Sequence, residues 1–149
     1  MHLVVVTPAG SKVDASVKMV TVPGAVGELG IMPGHRALIT SLAIGQLSYL
    51  DEAGKSWVLA TNEGFCEIHD DEVVFVTESA EWPDDIDAER AKRSLDGAEA
   101  LVKTLDPHAE PTEYKQAVAK RARALNRLAV HRFATPEAIR IQAQRAQQQ

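Results

Sequence analysis

The sequence predicts an α+β protein in which an N-terminal antiparallel β-sandwich precedes a C-terminal antiparallel two-helix hairpin. Short runs rich in β-branched residues, separated by turn signals, fill the first 80 residues. Apolar residues at helical spacing follow. The charge also changes sign, since residues 1–84 carry four basic and twelve acidic side chains and residues 85–149 carry twelve basic and nine acidic ones. We therefore expect a β-sandwich domain at 1–84, a helical hairpin at 85–132 and a polar tail at 133–149.

Seven strands are predicted in the first domain. Two polar segments, 51–55 and 70–72, each lie between two apolar runs, which is the pattern of a β-hairpin. Strands this short, separated by turns, favour a sandwich or a barrel over a βαβ unit. The predicted strands cover residues 4–6, 16–22, 37–42, 46–50, 56–61, 65–68 and 73–77.

Residues 22–35 contain four glycines and two prolines and are predicted to form a loop with a dictated path. The segment lacks the Gly-Lys-Ser/Thr ending of a phosphate-binding P-loop, and a strand rather than a helix follows it. A rigid loop of this kind is suited to a shaped contact surface, because ordering a flexible loop costs about 1–2 kcal/mol per residue.

Two helices are predicted after the sandwich. Asp84 or Asp85 can cap the first helix, and the prolines at 107 and 111 separate it from a second helix that begins at about Thr112. Alanine dominates both apolar stripes, so the hairpin buries little apolar area and can detach from the sandwich. The stripes are Ala91, Leu95, Ala98, Val102 and Leu105 in the first helix and Tyr114, Val118, Ala122, Leu125 and Ala129 in the second.

The remaining composition excludes several classes of protein. No apolar run approaches the roughly 20 residues that span a bilayer, and no export signal is expected. The single cysteine, Cys66, excludes an internal disulfide, fits a reducing compartment and is predicted to be a structural, at least half-buried side chain. The tail at 133–149 is expected to be frayed or partly helical, with disorder or fraying in its last ten residues.

Motifs along almost the whole chain resemble, in order, those of the epsilon subunit of F-type (rotary) ATP synthases. The pattern P-G-x-x-G-E-x-G-I-x-P-G-H at 23–35 is the most specific of them. The segment 63–68 departs slightly, since it has Glu-Gly-Phe-Cys where many members have Gly-Gly-Phe with Val. The other motifs are Thr7-Pro8-x-Gly10, Gly45-Gln46-Leu47, Ile86-Asp87-Ala88-Glu89-Arg90-Ala91 and Arg123-Ala124-Leu125-Asn126-Arg127-Leu128.

This resemblance implies a subunit of the central stalk of the rotor with no catalytic residues of its own. The sandwich would bind the gamma subunit and rest on the c-subunit ring. The hairpin would switch between a compact state and an extended state that reaches the alpha/beta catalytic head and blocks ATP hydrolysis. The resemblance also implies a peripheral location on the cytoplasmic face of a bacterial inner membrane.

The resemblance assigns two contact surfaces. The first is the rotor-ring contact loop, whose residues are Glu28, Leu29, Ile31, Met32 and His35. The second is the basic second helix, which would meet an acidic surface on the catalytic beta subunits. Clustered cations favour such an encounter by long-range attraction and orientation. The basic residues are Lys120, Arg121, Arg123, Arg127 and Arg132.

No cofactor is required, but the resemblance implies ATP as a regulatory ligand of the folded hairpin. Arginine forks suit phosphate oxygens, Asp87 could accept from the ribose or the adenine amine, and Ile86 and Ala91 could line the base. Alternatively, Asp87 is a first-turn helix residue in an ordinary i,i+3 pair with Arg90. The matching positions are Glu81, Ile86, Asp87, Arg90, Ala91, Arg123 and Arg127.

Besides an ATP-sensing module, the sequence leaves two other classes of function to consider, and both are disfavoured. A metal-dependent sandwich enzyme is poorly supported, because the histidines at 2, 35, 69, 108 and 131 form no H-x-H or H-x₃-H pair. No Ser/His/Asp grouping has a strained nucleophile turn. Nucleic-acid binding by the basic helix is disfavoured by the acidic first domain and by the scarcity of aromatic residues around that helix.

Overall fold

The protein is described here by a computed structural model that covers residues 1–147, and its chain divides after Glu81 into a β unit, Met1–Glu81, and a helical unit that begins at Trp82. The boundary lies slightly before the predicted one between residues 84 and 85. The β unit contains strands β1 His2–Thr7, β2 Gly10–Gly24, β3 Gly27–Ile31, β4 Leu38–Leu42, β5 Gly45–Asp51, β6 Ser56–Thr61, β7 Gly64–His69, β8 Glu72–Thr77 and β9 Ala80–Glu81. The helical unit contains a 3-10 turn at Pro83–Asp85 and helices α1 Ala88–Thr104, α2 Pro111–His131 and α3 Pro136–Gln147.

The long strand β2 joins two groups of strands in the sandwich. Its first half pairs with β1, which continues into β8, β7 and β4. Its second half pairs with β3 on one side and with β5 on the other, and the sheet continues from β5 to β6 and β9. One pair departs from the antiparallel prediction, since β1 and β8 run parallel. No hairpin connects these two strands, so the chain is free to bring them together in that direction.

The core of the β unit is almost entirely aliphatic. Side chains alternate between the buried and the outer face, as in β7, where Cys66 and Ile68 are buried between exposed neighbours. Phe75 is the largest fully buried side chain in the described part of the chain. Others that are fully buried are Leu3, Val5, Val17, Val20, Val22, Ile31, Leu47, Leu59 and Val73.

Strands β2 and β3 form a hairpin, so the prediction of a loop over 22–35 is wrong for residues 22–31. Val22 pairs with Leu29, and Gly24 pairs with Gly27 across a tight turn. Gly27 has φ of +133°, a conformation that glycine adopts without strain. Glycine and proline disfavour strands in general, which concealed this one in the sequence. The prediction of a loop is confirmed for residues 32–35, and this loop continues to residue 37.

Helices α1 and α2 pack against each other and are joined by the short connection 105–110, which makes them an antiparallel hairpin as predicted. The cap of α1 is Asp87 rather than Asp84 or Asp85, since Oδ1 of Asp87 accepts a 3.0 Å hydrogen bond from the backbone N–H of Arg90. The preceding Pro83–Asp85 segment forms a separate 3-10 turn.

The predicted stripe of α2 is wrong. Ala117 and Ala124 are buried, whereas Leu125 of the predicted stripe is 48% exposed. At about 100° per residue, the two buried alanines lie roughly 110° around the helix from the predicted stripe. Small apolar residues occur on nearly every side of α2, so periodicity alone does not select the buried face.

The segment 133–149 is more regular than predicted, because α3 spans Pro136–Gln147. The expected disorder or fraying of the last ten residues is therefore wrong for residues 140–147, and Gln148 and Gln149 lie outside the described residues. The hydroxyl of Thr135 accepts a 3.3 Å hydrogen bond from the N–H of Ala138, and Pro136 occupies the first turn. These local start signals were present in the sequence, whereas the contacts that hold α3 in place come from residues distant in the chain.

Candidate functional site

One end of the sandwich is built from the β3–β4 loop and the β7–β8 turn. In the loop, the N–H of His35 donates to the carbonyl oxygen of Met32 at 3.1 Å, and Gly34 has φ of +82°. With Pro33 at the preceding position, this is the pattern of a type II turn. In the other turn, Asp70 and Asp71 both have positive φ, at 49° and 59°. Two such residues form the I′ type of hairpin turn.

A direct hydrogen bond connects these two turns. The N–H of Gly34 donates to Oδ1 of Asp71 at 2.6 Å, and the carbonyl oxygen of Asp71 accepts from the N–H of His2 at 2.8 Å. Asp71 therefore holds together the loop, its own turn and the start of β1. We call residues 32–36 and 69–72 the turn platform. Met32 is its exposed apolar side chain, at 60% exposure.

The five residues predicted for ring contact do not form one surface. Met32 and His35 belong to the turn platform, with His35 half-buried. Glu28 lies at the other end of β3, beside the β2–β3 turn, about 13 Å from Met32 at 3.3 Å per residue. Leu29 is half-buried. Ile31 is fully buried, so its prediction as a contact residue is wrong: its side chain belongs to the core.

The outer face of β1, β8, β7 and β4 carries an apolar surface that the sequence analysis missed. The register aligns Val4 with Val74 and Val6 with Val76, and it places Phe65 beside Val76. Ile39, on β4, has the same orientation and is 71% exposed, while Phe65 is 47% exposed. We call these six residues the valine face. The sequence carries a signal for this surface, because β8 has apolar side chains on both of its faces. Such a strand predicts that its outer face is covered by another element or a partner.

The residues predicted to bind ATP are not all available for it. Ile86 is fully buried and Ala91 is 2% exposed, so the prediction that they line an adenine base is wrong for this arrangement of the hairpin. Asp87 is occupied as the cap of α1. Glu81 is the last residue of the β unit, whereas the other six predicted positions belong to the helical unit.

Three predicted arginines of the helical unit lie at one level of the hairpin. Because α1 and α2 are antiparallel and joined at 105–110, Arg123 and Arg127 lie at about the same level as Arg90. Arg90 is exposed and the other two are half-buried. Such a group of guanidinium forks has the chemistry to bind phosphate oxygens.

A cleft of about 730 Å³ lies beside the start of α1, but its charge does not suit a nucleotide. Its volume would accommodate a small-molecule ligand. Four carboxylates against two guanidinium groups nevertheless give a lining that repels a triphosphate. The charged residues of the lining are Asp84, Asp85, Asp87, Glu89, Arg93 and Arg145.

The basic residues of α2 flank its buried alanines. Lys120, Arg123 and Arg127 follow one line along the helix, at spacings of three and four residues. Arg121 lies on the other side of the ridge formed by Ala117 and Ala124. Arg132 follows the end of α2, and its guanidinium lies 4.7 Å from the ring centre of Phe133. The cations therefore border the seam of the hairpin instead of forming a separate patch.

The structure gives no support for the other chemistries within residues 1–147. No group of three His, Cys, Asp or Glu side chains there could hold a metal ion. Cys66 is buried, and this burial raises the pKa of its thiol to about 11, which disfavours a nucleophilic thiolate. None of the described helices combines the length and the apolar character needed to cross a membrane.

Comparison with known proteins agrees with this architecture. Residues 1–83 match the family model for the ATP synthase delta/epsilon chain β-sandwich domain, and residues 84–131 match that for the long α-helix domain of the same chain. The ATP synthase epsilon chain of Trichlorobacter lovleyi is 42% identical over 130 residues, which are 87% of this chain and 92% of that protein. The ATP synthase epsilon chain of Geobacter metallireducens is 43% identical over 125 residues, covering 84% of this chain and 88% of that protein.

A similar fold occurs in a solved mitochondrial ATP synthase. A chain of the OSCP/F1/c-ring assembly of Euglena gracilis superimposes with a TM-score of 0.69 at 23% identity, covering 80% of this chain and 74% of that one. The two family models together span nearly the whole described chain, in the order in which the two units occur. The chain therefore belongs to the ATP synthase delta/epsilon family.

Proposed function

We propose that the chain is the epsilon subunit in the central stalk of a bacterial F-type ATP synthase, where it couples the rotor and inhibits ATP hydrolysis. It acts there as a non-catalytic subunit at the cytoplasmic face of the membrane. The observation that carries the proposal is the division after Glu81 into two separately packed units, both of which match the family.

Two surfaces of the β unit are assigned to two partners. The valine face suits the gamma subunit, because the exposed side chains of Ile39 and Phe65 beside four half-buried valines form an apolar patch that is typical of a protein–protein interface. The turn platform suits the c-subunit ring, because its hydrogen-bonded turns offer a surface that loses little conformational entropy on binding.

The helical unit supplies the inhibitory switch. Ala91 and Ala98 on α1 and Ala117 and Ala124 on α2 are small buried side chains, so separating the two helices exposes little apolar area. Opening also frees the cations that border the seam, and these would meet the acidic surface of the alpha/beta catalytic head. Electrostatic attraction of this kind favours correct encounter and weakens with salt.

Deletion of residues 86–149 tests the proposal in the assembled ATP synthase. We expect ATP hydrolysis to rise while the truncated chain still co-purifies with the gamma subunit and the c-ring. Unchanged hydrolysis with the truncated chain present would contradict the inhibitory role. Loss of the truncated chain from the complex would contradict the assignment of assembly to the β unit.

ATP as a regulatory ligand of the hairpin is the second candidate. The common level of Arg90, Arg123 and Arg127 supports it, since three guanidinium groups could hold the phosphates. The burial of Ile86 and Ala91 limits this mode of binding to the phosphate end of the nucleotide.

A further inference from the structure

Helix α3 is attached at two points to the segment just before α1, which comprises the 3-10 turn and Ile86. Both the N–H and the hydroxyl of Thr135 donate to the carboxylate of Asp84, at 2.8 and 3.0 Å. Further along α3, the amide nitrogen of Gln142 donates to the carbonyl oxygen of Ile86 at 2.7 Å and to that of Asp84 at 3.2 Å. These contacts fix α3 to the 3-10 turn and to Ile86, which follows it before α1.

The same glutamine also contacts the end of α2. Its amide oxygen accepts a hydrogen bond from Nε2 of His131, the last residue of α2, at 3.1 Å. A primary amide has two N–H donors and one carbonyl oxygen, and Gln142 uses both kinds of group here. Gln142 therefore connects the first residues of the hairpin to the last ones.

The position of these contacts within the hairpin allows them to hold its two helices together. In an antiparallel pair joined at 105–110, the start of α1 and the end of α2 lie next to each other, at the open end opposite the connection. That end separates furthest when the two helices come apart. We propose that α3 is a clasp that holds the hairpin closed, with Asp84, Ile86, His131, Thr135 and Gln142 as the clasp residues.

The contacts between α3 and the hairpin are weak enough to be released. Ile139 and Ile141 of α3 are 44% and 43% exposed, so apolar burial contributes little to its attachment. Asp84 and Thr135 are also exposed. A helix of only 12 residues is marginal in water on its own, so α3 depends on these contacts to stay folded. Helix α3 lies beyond residue 131, where the match to the family model of the helical domain ends.

The regulatory consequence rests on the proposed function. The start of α1 and the end of α2 cannot separate until Gln142 has released either His131 or the segment that precedes α1. In the proposed function, the extended hairpin that results is the state that inhibits hydrolysis. Weakening the clasp therefore shifts the hairpin toward the extended, inhibitory state, and strengthening it favours the compact one.

Hydrogen exchange of the full-length chain tests the clasp directly. Gln142→Ala removes the contacts with His131 of α2 and with the segment that precedes α1, and Gln144→Ala, at an exposed position of the same helix, is the matched control. Both substitutions raise helix propensity, so a loss of protection cannot come from propensity. We expect amides of residues 137–147 to exchange about tenfold faster in Gln142→Ala and at the unaltered rate in Gln144→Ala. Equal exchange rates in the two variants would overturn the clasp.

A second arm tests its role in the switch. In the assembled ATP synthase, Gln142→Ala is expected to lower ATP hydrolysis about two- to fivefold relative to Gln144→Ala, as more hairpins extend. Faster exchange without a change in hydrolysis would overturn the regulatory half of the proposal. Because exchange is measured on the free chain, a truncation at residue 86 that leaves hydrolysis unchanged would contradict the proposed function and not the clasp.

Discussion

The N–H of Gly34 donates a 2.6 Å hydrogen bond to Oδ1 of Asp71, and this bond joins two turns that are 37 residues apart in the sequence. Gly34 supplies the positive φ of one turn, and Asp71 is itself in a positive-φ conformation in the other. Since Asp71 also accepts from the N–H of His2, a single residue fixes three segments at one end of the sandwich. The rigidity that the turn platform needs for a contact role is therefore concentrated at one residue, through its side chain and its backbone carbonyl.

Asp71→Ala is expected to loosen the turn platform. A charge-assisted hydrogen bond is lost, and the free energy of unfolding should fall by about 1 kcal/mol in an exposed setting. Hydrogen exchange at Gly34, measured by NMR, should accelerate. Asp70→Ala is the control, because it carries the same positive-φ cost without the bond to the loop. Equal acceleration at Gly34 in both variants would show that turn strain, not the Gly34–Asp71 bond, orders the loop.

Phe65→Asp is expected to abolish binding of the gamma subunit while leaving the β unit folded. The substitution places a charge in the middle of the valine face, where an apolar partner would have to desolvate it. Val26→Asp is the matched control, since Val26 is fully exposed at the β2–β3 turn, away from that face. Co-purification with the gamma subunit measures the effect. Retention of binding in Phe65→Asp would assign the gamma contact to another surface.

Two glycine-to-alanine substitutions should shift stability in opposite directions. A Cβ at Gly64 would overlap the carbonyl oxygen of Val76 on the paired strand, so Gly64→Ala should cost more than about 2 kcal/mol. A Cβ at Gly97, within α1, meets no atom within 4 Å, so Gly97→Ala should stabilise the helix by up to about 1 kcal/mol. Urea unfolding followed by circular dichroism distinguishes them. A neutral Gly64→Ala would mean that β7 and β8 can separate locally without cost.

The buried thiol of Cys66 should make stability fall at alkaline pH. Its pKa is raised by burial from 9.0 to about 11, so the unfolded chain loses the thiol proton first. The contribution of the buried thiol to the free energy of unfolding is fully present below pH 9, and it is lost as the pH rises from 9 toward 11. Cys66→Ala removes it, so the difference in unfolding free energy between the two proteins should change across that range. A difference that is constant with pH would contradict the raised pKa.

If ATP is a ligand of the hairpin, it is expected to bind the isolated chain saturably below millimolar concentration, with Arg90, Arg123 and Arg127 holding its phosphates. Arg90→Ala should weaken this binding, whereas Arg93→Ala, at an exposed position on the same helix that borders the acidic cleft, should not. Isothermal titration calorimetry measures both. The absence of a saturable signal below millimolar ATP would eliminate the nucleotide as a ligand of the folded hairpin.

Local chemistry was sufficient to predict many elements of this fold. The polar segments at 51–55 and 70–72 are typical of hairpin turns, and the structure has β5–β6 and β7–β8 hairpins there. Pro107 lies between the two helices as predicted, Pro111 is the first residue of α2, and Cys66 is buried as predicted. Each of these features depends on residues that are neighbours in the chain.

Pairings between distant residues required the tertiary structure. The strand β3 was hidden because Gly27 and Gly30 lower its propensity, and its partner β2 overrides that preference. The buried face of α2 was mispredicted because alanine occurs on several of its sides and only packing selects one.

The sequence by itself determined the two-part architecture and the family, because turn residues, helix breakers, charge and motif order are written locally along the chain. The tertiary structure decided which surfaces those parts offer. It buried Ile31 and Ile86, formed the valine face and joined Gln142 to the segment before α1 and to the end of α2. The physical reason is that burial and long-range hydrogen bonds depend on which segments meet in space, and local preference does not encode that choice.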